Sequence, residues 1–562
     1  MDARAGYGVG ALSGTARIRL RRLALPAACA FLGALVALLV GLITTPSGDA
    51  PSHLFQTWLF SNGGFEVWNN YLYAGRYEFV TYSVFYYPLA AWFGQVAVLV
   101  VSAALLCGSF ALISQRAFGR PAARGPSVAF AATAPVIAMV SGIYPFLTGA
   151  ACAAVALGLL QYGRGRRIPF ALAVFATLGF SPLAFALLVA VLAGVLLGQA
   201  RPLAVLRANP VAFGAVVGVF LTGVFMQRAF STNAWYPYDL TDAAIVLGFS
   251  LAGLYITGAS PRARSLRMLF AVYLSLNLFA FLLQSPIGSN ATRLFAIAGA
   301  PMLWLAANIS RRRSRLIVVP LLAAAMALQV GPWVRDAYSA WNNPAAKASY
   351  WQPAIEFLRS HPGSEYRVEA VATWGHWDAY YLARQRVPLA RGWYRQDDFP
   401  MNEALYDPNS LTSSRYQAWL RSLGVRYVLL PDTALDYSAA AEAKLLRSGQ
   451  SGLVIAGRTK HWTFYELPNA TPIVTGPVNV QADVVVLDAE RVWLYFERPG
   501  RFLVRIRYSP YWQPTAGQAC LARGPYGMTQ VTVRRAGFLR LEIRPGVDQV
   551  ADAVSKSDGS SC

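Results

Sequence analysis

The sequence is short of charged residues. Asp, Glu, Lys and Arg make up 14% of its 562 residues, whereas about 25% is usual in soluble domains. Hydrophobic residues make up 56%, and the mean hydropathy is +0.39. A chain this apolar cannot face water throughout, and its 13% aromatic content excludes a disordered protein. Much of the chain must therefore lie in lipid.

Lysine is scarce and unevenly placed. All four lysines lie after residue 334, at positions 347, 444, 460 and 556. The stretch 23–334 is a series of apolar runs separated by short loops with arginine, whereas 335–562 has no run long enough to span a bilayer. We therefore predict a cytoplasmic N-terminal tail at 1–22, a polytopic α-helical membrane domain at 23–334 and a soluble C-terminal region.

Eleven apolar segments are predicted to span the membrane, because about 20 apolar residues cross its hydrocarbon core. They are 23–45, 89–113, 126–141, 146–162, 168–181, 183–199, 210–227, 243–258, 268–284, 292–309 and 315–333. Only Ser181-Pro182 separates the fifth segment from the sixth, so a re-entrant pair is the alternative there.

Arginine is rare in every second loop. About twenty arginines lie on one side of the predicted membrane, and three, Arg76, Arg228 and Arg293, lie on the other. The positive-inside rule then makes the N-terminus cytoplasmic, and an odd number of spans makes the C-terminal region extracytoplasmic. The expected location is a bacterial plasma membrane. These arginines account for the net charge of +22, so nucleic-acid binding is not expected.

Two loops on the arginine-poor side are long, at 46–88 and 228–242. Loops of such length are functional or disordered, and the many aromatic residues of 46–88 argue against disorder. We expect amphipathic helices that lie on the membrane surface.

Asp49 follows the first span closely, in the segment Ser47-Gly48-Asp49-Ala50. An acidic group at membrane depth is energetically costly and therefore indicates function. Gly48 permits close approach of another group, and His53 follows one helical turn later. The alternative is an N-cap, in which Asp49 or Ser52 opens an interfacial helix while Glu66 and Glu78 are solvated charges.

This arrangement resembles the GT-C superfamily of membrane glycosyltransferases, which includes mycobacterial arabinofuranosyltransferases, protein O-mannosyltransferases and oligosaccharyltransferases. The resemblance implies transfer of a sugar from a polyprenyl-phosphate donor to a cell-envelope glycan, lipid or protein, with Asp49 as the general base. The second acid of the common Asp-Asp or Asp-Glu pair is absent, because Gly48 precedes Asp49 and Ala50 follows it. Dependence on a divalent cation (Mg, Mn or Ca) is therefore left open.

The three outer arginines, Arg76, Arg228 and Arg293, are candidates for binding the donor phosphate, because arginine holds phosphate in bidentate fashion. Arg293 opens a span, where a helix N-terminus also favours anions. The alternative is snorkelling of their side chains at the membrane surface. In the second long loop, Tyr236, Asp239 and Asp242 are candidates to complete a cation site with Asp49 or Glu78.

The C-terminal region is predicted to contain an α/β module at 335–470, because helical and strand patterns alternate there. Short alternating strands at 471–550 indicate a β-sandwich. It resembles a carbohydrate-binding module with Tyr508, Tyr511 and Trp512 as exposed aromatics, and a plain structural cap is the alternative. Residues 551–562 are expected to be a disordered tail.

Two aromatic clusters, at 374–381 and 391–398, lie in the α/β module. Tryptophan and tyrosine beside charged residues are typical of sugar-binding surfaces, and docking onto the membrane domain is the alternative. The residues expected to bind the acceptor or to support the outer loops are His53, Glu78, Tyr236, Asp239, Trp374, His376, Trp377, Arg391 and Trp393. Cys520 and Cys562 either form a disulfide or stay free thiols.

Two other functions are left open. A transporter or flippase usually has internal repeats and broken helices, and no convincing internal repeat is evident in the sequence. A phosphate-binding Gly-rich loop is not evident either, which argues against ATP-driven transport. A non-catalytic scaffold that presents a sugar-binding ectodomain is the third hypothesis. The enzyme is favoured because the polar residues concentrate in the outer loops. A composition rich in Arg and Ala and poor in Lys indicates a high-GC bacterium such as an actinobacterium.

Overall fold

The computed structural model describes residues 14–162, 166–232, 234–258, 260–310, 315–407 and 410–555. Its first part is helical. The helices are α1 Gly14–Ile43, α2 Ala50–Gly63, α3 Phe79–Tyr82, α4 Tyr86–Phe93, α5 Gln95–Phe118, α6 Arg120–Val140, α7 Tyr144–Leu160, α8 Arg167–Phe180, α9 Pro182–Leu197, α10 Pro202–Ala208, α11 Pro210–Ala229, α12 Leu240–Thr257, α13 Arg264–Leu282, α14 Arg293–Ser310 and α15 Arg315–Trp341. The first helix begins inside the predicted tail 1–22, and α15 continues past residue 334.

Ten of the eleven predicted spans coincide with one helix each, and the span predicted at 89–113 covers the end of α4 and most of α5. A count of eleven spans is not confirmed. Within the described residues, eight helices are long and apolar enough to cross a membrane: α1, α5, α6 and α11 to α15. The helices α7 and α8 are shorter, and α9 turns by 117° into α10. At a rise of about 1.5 Å per residue, α8 falls short of the hydrocarbon core.

The first long loop contains short helices, as we expected, and their place on the membrane surface stays a prediction. Besides α2 to α4 it contains a small hairpin, β1 Trp68–Asn69 and β2 Arg76–Tyr77. Its aromatic residues are largely buried, among them Trp68, Tyr73 and Phe79. The backbone of 67–74 bonds to the C-terminal region, for example from the Asn70 amide to the Ala489 carbonyl (3.0 Å). The loop is thus an internal layer between the membrane helices and the C-terminal region.

The α/β module is built on a four-stranded sheet in the order β3-β4-β6-β5, in which only β3 and β4 are parallel. Its elements are α16 Ala348–Ser360, β3 Arg367–Ala370, α17 Asp378–Tyr381, α18 Arg395–Met401, α19 Ser413–Leu423, β4 Val425–Pro431, α20 Ala440–Arg447, β5 Val454–Arg458 and β6 Trp462–Glu466. Strand β4 is almost wholly buried.

Two further four-stranded sheets form the sandwich, in the orders β12-β13-β10-β7 and β11-β14-β9-β8. The strands are β7 Val474–Thr475, β8 Ala482–Leu487, β9 Arg491–Phe496, β10 Gly500–Arg507, β11 Trp512–Ala516, β12 Ala519–Arg523, β13 Met528–Val533 and β14 Gly537–Ile543. Alternating side chains such as Val492, Leu494 and Val531 fill the space between the sheets.

The predicted exposure of Tyr511 and Trp512 is wrong. Both are buried, because the sandwich packs these residues against the first long loop and the end of α11. The Tyr511 hydroxyl donates to the Ala229 carbonyl oxygen at 2.6 Å. Tyr508 is half-buried. Tyr511 and Trp512 are therefore docking residues.

The predicted disordered tail is also wrong in part, since helix α21 covers Val547–Ser555. Residues 556–562 lie outside the described residues, so the Cys520–Cys562 pairing stays a prediction. The sulfur of Cys520 lies 3.7 Å from Arg534 Nη2.

Candidate active site

Asp49 occupies the N-cap position of α2, but among the described residues its side chain makes no capping hydrogen bond. Its Oδ2 instead accepts from Arg293 Nη2 at 2.9 Å. The two side chains are 20% and 15% exposed. This ion pair, rather than the alternative N-cap, accounts for the position of Asp49, and it remains open to a small ligand.

The backbone around Asp49 is fixed by a close contact with the turn after α6. The Asp49 amide donates to the Ser141 carbonyl oxygen at 3.0 Å. Gly48 has φ of +55°, and a β-carbon there would collide with that oxygen. Gly142, with φ of +69°, would collide with the Ala50 amide in the same way. The predicted close approach at Gly48 is confirmed.

Arg293 is held by its own helix start. Its Nε donates to Asn290 Oδ1 at 3.1 Å, and its guanidinium lies 5.5 Å from the Phe146 ring centroid. Since Asn290 lies directly before α14, the loop that ends there orients the guanidinium toward Asp49.

Aromatic side chains and His53 pack together beside the ion pair. The His53 side chain is fully buried, and its Nδ1 lies 3.1 Å from the Tyr87 hydroxyl. Its ring also lies within 6 Å of Tyr82 and of Trp393, which belongs to the α/β module. Burial, followed by the charge of Arg293, holds the pKa of His53 well below its usual value of 6.5. His53 is therefore neutral at pH 7 and supports the site by packing.

Arg395 is a charged residue near the site that our sequence prediction missed. It pairs with Asp436 through both guanidinium nitrogens, at 3.1 and 2.5 Å, and its side chain is 22% exposed. Burial raises the pKa of Tyr236 to about 12, while the charge of Arg395 lowers it and the charge of Asp49 raises it. Arg395 and Asp49 thus both act on the Tyr236 hydroxyl.

Tyr236 reaches this position because two segments hold its loop. The backbone of Tyr236 bridges to Ser285, and the Trp235 amide donates to the Gln396 carbonyl oxygen at 3.1 Å. The only sequence signal for Arg395 was its place in the cluster 391–398, from which we had selected Arg391 and Trp393.

Arg76 and Glu78 form a separate buried network. Arg76 contacts Glu78 at 3.1 Å and Asp397 at 2.8 Å, and it lies over the Tyr394 ring at 3.3 Å. The side chains of Arg76 and Glu78 are 4% and 0% exposed. Arg76 is therefore not available to a donor phosphate, and Glu78 is not the solvated charge of our alternative interpretation.

The structure does not bring the other candidate loop residues to Asp49. Arg228 is exposed near the end of α11, and none of the described carboxylates forms an ion pair with it. Asp239 caps α12 by accepting from the Thr241 amide at 2.7 Å.

In the described part of the chain, no three His, Cys, Asp or Glu side chains form a group that could hold a metal. A divalent cation at Asp49 would therefore need water or substrate oxygens among its ligands, as magnesium sites often have.

The aromatic clusters of the α/β module are mostly internal. Arg391 is buried and paired with Asp398 at 3.1 and 2.6 Å, so it is not available to an acceptor. Trp377 is buried and stacks on Tyr381. The carbonyl of the half-buried Trp374 accepts from Asn343 at 3.1 Å.

His376 is connected to the site only indirectly. Its side chain is buried, and its Nε2 lies 3.6 Å from Asp436 Oδ2. Because Asp436 also binds Arg395, His376 helps to set the position of the arginine rather than reaching a substrate itself.

Comparison with known proteins gives a distant likeness. No protein-family model and no curated protein matches the chain. The Archaeoglobus fulgidus oligosaccharyltransferase with a tethered acceptor peptide aligns over 74% of this chain and 69% of its own, at 13% identity and a TM-score of 0.44. ArnT from Cupriavidus metallidurans aligns over 81% of this chain and 98% of its own, at 14% identity and a TM-score of 0.43. Likeness at this level assigns no activity, and the resemblance to actinobacterial arabinofuranosyltransferases stays a prediction.

Proposed function

We propose that the protein is a membrane glycosyltransferase of the GT-C type, which transfers a sugar from a polyprenyl-phosphate donor to a hydroxyl group of a cell-envelope acceptor. The observation that carries this proposal is the partly exposed Asp49–Arg293 ion pair between the membrane helices and the C-terminal region. A carboxylate and an arginine side by side supply a base and a phosphate ligand, the two groups that this reaction needs.

Asp49 is the general base in this proposal. As the acceptor oxygen bonds to the anomeric carbon of the sugar, the bond from that carbon to the phosphate oxygen breaks. The acceptor proton passes to the Asp49 carboxylate, and the electron pair of the broken bond stays on the phosphate. A positioned carboxylate typically contributes about 10²–10⁴-fold to such a step.

Arg293 stabilises the negative charge on the leaving phosphate. In the absence of substrate its guanidinium pairs with the Asp49 carboxylate at 2.9 Å. A donor phosphate that binds Arg293 competes with Asp49 for the guanidinium and thereby frees the carboxylate to accept the proton of the acceptor hydroxyl. The proposal therefore includes an order of events in which the donor binds before the acceptor loses its proton.

Arg395 is the second cation of the proposed site. Its bidentate pairing with the buried Asp436 fixes the plane of the guanidinium, and its partial exposure leaves it open to an anionic group of the donor or acceptor. The α/β module contributes Arg395 and Trp393, so both halves of the protein form the site.

The test is sugar transfer by the purified protein in lipid nanodiscs, with a panel of polyprenyl-phosphate sugars and cell-wall acceptor fragments. We expect a covalent sugar–acceptor product and release of polyprenyl phosphate in equal amounts. Movement of intact donor across a liposome membrane without a product would contradict the proposal and favour the flippase. Donor binding with neither outcome would favour the scaffold.

A further inference from the structure

Helices α8 and α11 enclose a groove on the side of the membrane domain where the arginine-rich loops lie. The groove has a volume of about 390 Å³. It is lined from α8 by Arg167, Ile168 and Phe175, and from α11 by Ala215, Gly218 and Thr222, among others. Apart from Arg167 and the Thr222 hydroxyl the named lining is apolar, and that hydroxyl is already bonded to the Gly218 carbonyl.

The groove exists because the two helices diverge toward their N-terminal ends. Near the opposite face they touch, since a β-carbon on Gly223 would lie 3.4 Å from Leu178 Cδ1. At Gly214 and Gly218 a β-carbon would meet no described atom within 4 Å. Of the residues in α11, only Val219 and Ala229 are buried by the described parts of the protein. The groove is therefore open sideways to the lipid.

Positive charge concentrates at the mouth of this groove. Arg166 and Arg167 stand at the start of α8, and Arg207 lies three residues before α11. The N-terminal ends of both helices add the positive ends of their dipoles. The sequence contains no Asp or Glu between Glu78 and Asp239, and no described carboxylate pairs with these arginines. Within the described residues no acidic side chain neutralises this charge, and the Arg166 guanidinium lies 5.8 Å from the Tyr162 ring centroid.

We propose that the groove binds one anionic phospholipid of the arginine-rich leaflet, with an acyl chain between α8 and α11 and its phosphate at Arg166 and Arg167. An apolar cleft that ends in a basic pocket matches a lipid with an anionic headgroup. A zwitterionic lipid also has a phosphate, but its headgroup brings a cation of its own beside the arginines and therefore binds them less strongly. The reacting donor phosphate lies at Arg293, which the topology places on the opposite face, so this lipid site is distinct from the proposed active site.

The test is native mass spectrometry of the purified protein with equimolar phosphatidylglycerol, phosphatidylcholine and polyprenyl phosphate. We expect one retained phosphatidylglycerol in preference to phosphatidylcholine. Replacing two arginines, Arg166→Gln with Arg167→Gln, is expected to weaken retention by about 30-fold. Gly218→Leu, which fills the groove without a backbone clash, is expected to abolish it.

Matched controls are available outside the groove. Arg120→Gln with Arg124→Gln removes two exposed arginines at the start of α6, and Gly248→Leu adds the same side chain at an open position of α12. Both controls should retain the lipid. The proposal is overturned if phosphatidylcholine is retained equally, if polyprenyl phosphate displaces phosphatidylglycerol, or if the control variants lose the lipid as the test variants do. The proposal is also overturned if the wild-type protein forms a dimer without bound lipid and the Gly218→Leu substitution dissociates that dimer.

Discussion

Asp49 and Arg293 are 244 positions apart in the sequence, and their side chains meet at 2.9 Å between Oδ2 and Nη2. The pair joins the loop after the first predicted span to the start of α14. Because both side chains keep some exposure, the contact is one that a substrate can open.

Arg293→Gln is expected to lower the rate of sugar transfer by about 10²–10³-fold, because one charged donor to the leaving phosphate is removed. Arg293→Lys should recover part of that loss, since it restores the charge without the bidentate geometry. Steady-state kinetics with varied donor measures both effects. Arg228→Gln is the matched control and should leave the rate unchanged. Equal losses in the Arg228 and Arg293 variants would contradict the assignment.

Arg395→Gln is expected to raise the KM for donor or acceptor about tenfold, as loss of a charge-assisted hydrogen bond does. Asp436→Asn should have a similar but smaller effect, because the guanidinium remains and only its orientation is lost. Arg359→Gln is the control, since Arg359 is exposed on α16 and bonds only to Gln385 in the described structure. Unchanged KM values in both Arg395 and Asp436 variants would show that this pair is structural.

Arg76→Gln is expected to reduce stability and not donor affinity. The substitution leaves Glu78 and Asp397 as buried carboxylates without their cation, which typically costs about 3–5 kcal/mol. Adding Glu78→Gln should recover part of the loss, because one of the uncompensated charges disappears. Thermal unfolding of the detergent-solubilised protein measures the effect. An unchanged Tm together with a raised donor KM would instead restore Arg76 to the phosphate site.

Glu66 makes the stability of the protein depend on pH. Burial, followed by the nearby charges of Glu490, Glu78 and Asp488, raises the pKa of Glu66 to about 8 from its usual 4.5. Between these two values the folded protein holds a proton that the unfolded chain releases. The free energy of unfolding therefore falls as the pH rises through this window.

Glu66→Gln removes this proton uptake. We expect the Tm advantage of the variant over wild type to grow between pH 5 and pH 8 and then to level off. Glu356→Gln, at an exposed position on α16, is the control and should follow wild type. A pH-independent difference between Glu66→Gln and wild type would contradict the raised pKa.

The helices and several strands could be predicted because their signals are local. Apolar runs between arginine-bearing loops indicated the membrane helices, and short alternating segments at 471–550 indicated the β-sandwich. Asp49 was selected because it is an acidic residue at membrane depth, and Arg293 was selected because it opens a helix. Both reasons are local. Their pairing depends on tertiary structure and has no local signal.

The errors arose where tertiary packing decides the role of a residue. Tyr511 and Trp512 have the pattern of exposed sheet aromatics, but the first long loop covers them. Arg76 and Arg391 are indistinguishable from ligand-binding arginines in sequence until their partners, Asp397 and Asp398, are in place. Arg395 lies four residues after Arg391, and only the fold shows which of the two is buried.

The most direct test of the central claim is single-turnover sugar transfer by Asp49→Asn, with donor binding measured on the same sample. The account predicts that transfer falls by at least about 10²-fold, while donor binding is retained or strengthened because Arg293 no longer has an anionic partner. Asp239→Asn, which alters a helix cap, should transfer at the wild-type rate. Wild-type transfer by a folded Asp49→Asn protein would contradict the account.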